Sequence, residues 1–264
     1  MIHLFVSTIG KDISWIHKGI PIEVGAACRD EKTIMYPLRD DTMDNISFDN
    51  QYWGELTGLY WIWKNYKFSA NDIVGFCHYN KILDIKDSKI IKLFKKNIKW
   101  IVRDSVYMVP RDYPDDVHVL EDVLAESYPE YYMQWKKLYN SSGESLEKAE
   151  NCDNCELFYT TVEEFDNYCN FLFGVLLKVR KKIGKVDREP YHKRYCAFLG
   201  ERLLSVYLLK NNIIAEHVLI ADKTNKIAMV LRRIMRLLGL NRESVLVNKI
   251  RQMVKGNRKS SYLS

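Results

Sequence analysis

The sequence contains no apolar run that approaches the ~20 residues needed to span a bilayer, so hydropathy predicts no transmembrane helix. It also lacks internal repeats and low-complexity tracts, which argues against repeat architectures and disordered arrays. No secretory signal begins it, because the opening MIHLFVSTIG is typical of a first strand, and its six cysteines are scattered. We therefore expect a protein of the reducing cytoplasm.

Acidic residues are almost missing from the last part of the chain. From Lys223 to Ser264 a single acid, Glu243, stands against eleven lysines and arginines, so this tail carries +10 and the rest of the chain carries −4. Residues 227–238 (IAMVLRRIMRLL) have the pattern of a basic amphipathic helix, which predicts binding to an anionic membrane surface. A helix packed on its own domain is the alternative. The tail has few aromatic residues to stack on bases, so we expect no nucleic-acid partner.

What the chain does contain is enough apolar sequence for a full core, with 47% apolar residues over 264 positions. Short apolar runs alternate with segments of helical period, which predicts an α/β fold. We predict one domain over 1–220 and a basic helical tail over 221–264. The predicted strands are 2–7, 20–27, 73–77, 105–110, 154–159 and 213–220, and the predicted helices are 51–66, 86–101, 120–139, 162–182 and 198–211.

An acidic, amide-rich loop runs directly into an aromatic helix at Arg39 to Asn65. Asp41, Asp44 and Asn45 are the types of residue that bind sugar hydroxyls, a ribose or a metal ion. The alternative is a capped loop whose acids only accept backbone hydrogen bonds. Glu55 lies in the first turns of the aromatic helix, where a buried carboxylate needs either a ligand or an arginine partner.

A second polar group follows the apolar run at 73–77. His78, Asn80 and Lys81 stand at the carboxyl end of this predicted strand, the end at which open α/β sheets bind ligands. A single histidine at a strand end can equally be structural. No Asp-x-Asp pair of metal ligands occurs here, because Asp84 and Asp87 are too far apart in sequence. We therefore assign no metal ligands from the sequence and leave a Mn²⁺ or Mg²⁺ cofactor open.

Several of these segments, in order, resemble one protein family. RDDTMDNIS, ELTGLYWIWKN and GFCHYNK, followed by YPEY, NCELF, YCNFLF and GERL, are similar to the motifs of the bacterial capsular, exopolysaccharide and lipopolysaccharide glycosyltransferases grouped as domain of unknown function 4422. The similarity covers roughly residues 1–215. It implies a GT-A-like nucleotide-sugar-binding sheet flanked by helices, a UDP-sugar donor, and a lipid-linked glycan acceptor at the inner face of the cytoplasmic membrane.

The resemblance also implies roles for individual residues. Glu201 and Asp44 are the expected catalytic residues, with Glu201 as the base that deprotonates the acceptor. The residues expected to bind substrate are Asp41, Asp44, Asn45, Asn50, Glu55, His78, Asn80, Lys81 and Asn154. The alternative pairs Glu201 with Arg202 or Arg194 as a structural salt bridge.

Three positions depart from the family pattern. Met43 stands in place of a glycine, Asn80-Lys81 in place of two arginines, and Cys155-Glu156 in place of Met-Phe, which puts an acid into an apolar strand. A non-catalytic protein that binds sugar nucleotides or glycans is therefore the alternative function.

Overall fold

A computed structural model describes residues 1–104, 113–144, 146 and 156–223 of the chain. Its strands are β1 (Ile2–Thr8), β2 (Gly19–Glu23), β3 (Ile73–His78), β4 (Lys81–Leu83), β5 (Trp100–Arg103), β6 (Phe158–Thr161), β7 (Ala215–Val218) and β8 (Ile220–Asp222). Its helices are α1 (Asn50–Trp53), α2 (Leu56–Asn65), α3 (Asp87–Phe94), α4 (Pro114–Ser127), α5 (Pro129–Leu138), α6 (Val162–Ile183) and α7 (Tyr195–Lys210). The α/β fold predicted from the sequence is confirmed.

The contacts within the chain divide it into two units, Met1–Ile220 and Ala221–Ser264. The first unit contains β1 to β7 and all the described helices. Of the second unit only residues 221–223 are described, so the predicted basic amphipathic helix at 227–238 lies outside the described residues. The predicted strand at 105–110 also lies outside them.

The central sheet is mixed, with strand order β2-β1-β3-β6-β5-β7 and with β4 paired to β3. Strands β1, β2 and β3 are parallel to one another, while β6 is antiparallel to both β3 and β5. The carboxyl ends of the three parallel strands therefore meet at one edge of the sheet. Because β6 runs in the opposite direction, its first residues lie at that same edge.

The core lies on both faces of the sheet. Phe5, Phe76 and Phe158 project from the strands into a large cluster that also contains buried side chains of every described helix except α3. The alternate positions, such as Leu4 and Val6, belong to a smaller cluster that contains Ile90 of α3. This period-2 alternation is what a sheet covered on both faces requires.

Three predicted helices differ from the structure. The helix predicted for 51–66 is broken at Gly54, whose φ of 54° and ψ of −131° are not helical. The helix predicted for 86–101 ends at Phe94, and after Asn97, which has a φ of 62°, the chain forms β5 instead. The helix predicted for 120–139 is two helices separated at Tyr128, because the residue before a proline disfavours helical dihedrals.

The predicted helix at 162–182 is confirmed. The Thr161 hydroxyl accepts a hydrogen bond from the backbone N–H of Glu164, which satisfies one of the free donors of the first turn. Gly184 ends α6 with a φ of 72°. Even this helix of 22 residues lacks the continuous apolar character that crossing a bilayer demands, and the same holds for every other helix in the described ranges.

Candidate active site

A cluster of acids and one histidine lies at the edge of the sheet where β1, β2 and β3 end. The pairing of β3 with β6 places Phe76 opposite Phe158, and continuing that register places His78 opposite Glu156. Phe76 and Phe158 both face the large helix-covered cluster, so the side chains of His78 and Glu156 point to the same side. Together with Glu55, these two residues bring donor atoms to within 4.8 Å of one another.

Glu55 reaches this cluster because the chain turns sharply before α2. Asn50 donates hydrogen bonds to the carbonyl oxygen of Gly54 and to the hydroxyl of Thr57, at 2.7 and 2.9 Å, which fixes the turn between α1 and α2. Glu55 is then the first residue before α2 and forms a salt bridge with Arg194, the residue before α7. The sequence left open whether Glu55 meets a ligand or an arginine, and the structure shows the arginine.

Gly54 is required at this turn for two reasons. Its dihedral angles are accessible to glycine and strained for any other residue. A Cβ atom at this position would also lie 2.5 Å from Nη2 of Arg194, the nitrogen that binds Glu55. The bare backbone of Gly54 therefore leaves the space in which Arg194 approaches the carboxylate.

The three groups of the cluster titrate abnormally because they are buried together. Burial alone would raise the pKa of Glu55, but the positive charges of His78 and Arg194 outweigh it and hold that pKa below its usual value. Burial lowers the pKa of His78, against the attraction of Glu55. Burial raises the pKa of Glu156 well above the usual range, and the charges of Glu55 and Glu201 raise it further.

Other predicted site residues surround the cluster. Glu201 lies on α7, close enough for its charge to raise the pKa of Glu156. Lys81 begins β4 and pairs with His78 across a tight turn that contains Asn80. The charges of Lys81, Arg194 and Arg103 all act on the imidazole of His78. The edge of the sheet therefore carries carboxylates and cations in close proximity.

Asp40 anchors the acidic loop that follows β2. Its carboxylate is fully buried and accepts hydrogen bonds from the backbone N–H groups of Gly25 and Ala26 and from the Ser47 hydroxyl. This part of the loop is the capped arrangement that the sequence allowed as an alternative.

The tip of the loop keeps the turn expected of a glycine. Met43 has a φ of 54°, in the left-handed region, and its side chain is 74% exposed. Asn45 spans the turn, since its amide donates to the carbonyl oxygen of Met43 and its side-chain oxygen accepts from the backbone N–H of Ser47. The methionine therefore adopts a left-handed conformation that is strained for a residue with a Cβ atom.

The tip of the loop lies at the end of α2, while Glu55 stands at the start of that helix. Asp44 accepts a hydrogen bond from the Tyr60 hydroxyl, and its backbone exchanges hydrogen bonds with the side chain of Asn65 at the end of α2. Asn65 is ten residues beyond Glu55, which is about 15 Å along a helix. A catalytic role for Asp44 alongside Glu201 stays a prediction.

Of the remaining predicted site residues, Asp41 and Asn50 have partners within the protein, and Asn154 lies outside the described residues. Asp41 forms a salt bridge with Arg39. Asn50 holds the turn at Gly54, as described above. Substrate-binding roles for Asp41, Asp44, Asn45 and Asn50 stay predictions.

Sequence reasoning missed Glu156 and Arg194 as residues of the site. The signal for Glu156 was visible, since an acid in an otherwise apolar strand needs a reason. Arg194 gave no such signal, because its contact with Glu55 joins positions 139 residues apart.

Comparison with solved structures gives one match. Over 85% of its length the chain superposes on 45% of the chain of the WbbM bifunctional glycosyltransferase in its apo form, with a TM-score of 0.68 and 20% sequence identity. The chain thus spans less than half of that protein, and the similarity shows a glycosyltransferase-like, GT-A-like fold. No curated protein matches the sequence. The model of the family described as domain of unknown function DUF4422 matches residues 11–212, and the chain belongs to this family.

Proposed function

We propose that this chain is a glycosyltransferase that moves one sugar from a nucleotide-diphosphate sugar to a growing surface polysaccharide. The first candidate for the donor is a UDP-sugar, and the acceptor is a precursor of capsule, exopolysaccharide or O-antigen. The observation that carries the proposal is the cluster of Glu55, His78, Glu156 and Glu201 at the strand-end edge of the sheet. Ligands bind at that edge in open α/β sheets.

Glu201 is the proposed catalytic base. As the acceptor hydroxyl attacks the anomeric carbon, the bond from this carbon to the diphosphate oxygen breaks, and the hydroxyl proton passes to a carboxylate. Glu201 stands on a rigid helix beside the cluster, where a carboxylate can hold that proton. The nucleoside diphosphate leaves with the bonding electron pair.

The departing diphosphate needs positive charge around it. Arg194, Arg103 and Lys81 supply fixed cations close to His78. A divalent metal ion, when bound, would supply Lewis-acid stabilisation of the same oxygens, and Glu55, His78 and Glu156 have the donor atoms to hold it. We propose that Asn80, next to Lys81, hydrogen-bonds a phosphate or a sugar hydroxyl.

The proposal includes a location. The acceptors are lipid-linked glycans, so we place the enzyme in the cytoplasm, peripherally bound to the inner face of the membrane through its basic tail. A full-length variant with Arg232, Arg233 and Arg236 changed to glutamate should lose sedimentation with vesicles containing anionic lipid. Equal sedimentation of this variant and the unchanged protein would contradict the role of the tail.

A donor panel tests the enzymatic function. The protein is incubated with UDP-, GDP-, dTDP- and CMP-sugars and a lipid-linked acceptor extract, and both nucleotide release and sugar incorporation are measured. Glu201→Gln should lower transfer by about 10²-fold to 10⁴-fold, the usual contribution of a general base. The matched control, Glu130→Gln on the exposed face of α5, should leave transfer unchanged.

The same panel separates the alternative function. Met43 and Asn80-Lys81 depart from the family pattern, and a protein that binds sugar nucleotides without turning them over would show a thermal shift with a donor but no incorporation. Binding without transfer for every donor would therefore establish the non-catalytic alternative and reject the transferase.

A further inference from the structure

We propose that Glu55, His78 and Glu156 are the ligands of one divalent transition-metal ion of the Mn²⁺ or Zn²⁺ class. The binding site itself stands on the geometry of the cluster. Its use, which is to hold the diphosphate of the donor, rests on the proposed transferase function.

The distances suit a single ion. One donor atom from each of the three residues lies within 4.8 Å of the other two. Ligand atoms bound at about 2.1 Å from one ion are separated by about 3 to 4 Å, so small side-chain movements close the site. Two carboxylates and one imidazole form a mixed oxygen and nitrogen donor set. Because carboxylates favour Mn²⁺ and imidazole favours Zn²⁺, we expect the site to bind one of these two ions.

His78 already has the orientation of a metal ligand. The Ser7 oxygen lies 3.2 Å from Nδ1 of His78 and 3.2 Å from the carbonyl oxygen of Cys77, which can accept only from the Ser7 hydroxyl. When Ser7 donates there, Nδ1–H of His78 donates to the Ser7 oxygen. This arrangement leaves the lone pair on Nε2. Histidines that bind metals usually donate their other ring N–H to an oxygen in this way.

Glu55 is already fixed by an outer partner. Its Oε2 accepts from Arg194, which holds the carboxylate beside His78 and Glu156. Ligating carboxylates are typically held by such an outer partner.

Glu156 gives an independent indication that something binds here. Its side chain is 2% exposed, and neither carboxylate oxygen has a hydrogen-bond partner among the described residues. An unpartnered buried carboxylate costs several kcal/mol unless it is protonated or bound to a cation. The β3–β6 register places the Glu156 carboxylate opposite His78, and a cation bound between these two side chains would neutralise the carboxylate.

The charges explain why the ion would help to bind a donor. In the metal-bound site Glu55 and Glu156 are both ionised, and Arg194 offsets one of their two negative charges. With the divalent ion these three side chains reach a net charge of +1, and the three protein ligands leave coordination positions open. An open positive site is what an anionic diphosphate requires.

Metal binding is measured directly, without an activity assay. The full-length protein is dialysed against EDTA and titrated with Mn²⁺, followed by electron paramagnetic resonance, and with Zn²⁺, followed by calorimetry. We expect one ion per chain and a rise in the unfolding temperature. Glu156→Gln keeps the shape of the side chain and should weaken binding at least about 10-fold, whereas Glu130→Gln should bind as the unchanged protein does.

A second variant separates the loss of metal binding from a failure to fold. Glu156→Leu removes a buried charge, so it should fold at least as stably as the metal-free protein and bind no metal. The proposal is overturned by no saturable binding up to about 1 mM of either ion, or by binding that both Glu156 variants retain. If the protein binds no metal and still transfers sugar in EDTA, the metal-site proposal is wrong and the transferase function stands. If it binds metal but transfers sugar from no donor, the metal site stands and the transferase function is wrong.

Discussion

The contact between Gly54 and Arg194 predicts a measurable coupling of free energies. Gly54→Ala has two effects: it strains the backbone at a φ of 54°, and it places a methyl group 2.5 Å from the Arg194 nitrogen that binds Glu55. The strain costs about 1 to 3 kcal/mol. The displaced salt bridge costs less than a fully buried pair, because the Arg194 side chain is 35% exposed, and we take about 1 to 2 kcal/mol.

A double-mutant cycle separates the two effects. In the Arg194→Ala background the methyl group meets no guanidinium, so Gly54→Ala should cost only the strain. We therefore expect Gly54→Ala to be less destabilising in that background by about 1 to 2 kcal/mol. The free energies of unfolding of the four proteins come from urea denaturation monitored by tryptophan fluorescence. Additive costs, within about 0.5 kcal/mol, would refute the steric link between this turn and Arg194.

Two further stability predictions follow from single positions. Met43→Gly should stabilise the protein by about 1 kcal/mol in urea denaturation, because glycine adopts the left-handed turn without strain, while Met43→Ala, which keeps the strain, should not. Glu164→Gln should destabilise it at pH 7 by about 2 to 4 kcal/mol, because the carboxylate accepts hydrogen bonds from Lys99, Trp100 and Tyr207. Burial opposes ionisation of Glu164, but these donors outweigh it and lower the pKa of Glu164 in the folded state. The loss of stability in Glu164→Gln should therefore be full above pH 4.5, the usual pKa, and should disappear as the pH falls through the lowered pKa. A loss that does not depend on pH would contradict this reasoning.

Local patterns predicted much of the fold. The apolar runs at β1 and β3 and the capping threonine of α6 are encoded within a few residues, so they can be read without knowing the tertiary structure. The break at Gly54 was missed because a helical period continues on both sides of it, and the reason for the glycine is a side chain far along the sequence. Helix propensity is a weak guide where tertiary contacts decide.

The cluster at the end of the sheet was predicted only in part. His78, Glu55 and Glu201 follow from strand and helix ends, but no sequence pattern indicates that β6 inserts antiparallel beside β3 and brings Glu156 opposite His78. Strand order and register depend on packing between segments that are distant in sequence. Tyr60 and Asn65 hold Asp44 near the end of α2 through contacts that no local sequence pattern indicates.

Helix α2 separates the loop tip from the buried acids by its own length. Met43 carries no charge, and about 15 Å of helix α2 lies between the residue that holds its loop and Glu55. A substitution at exposed Met43 can therefore change what the loop contacts while the electrostatic environment of Glu55 stays the same. Residues of the loop at the end of α2 can therefore be substituted without a compensating substitution of Glu55 or Glu156.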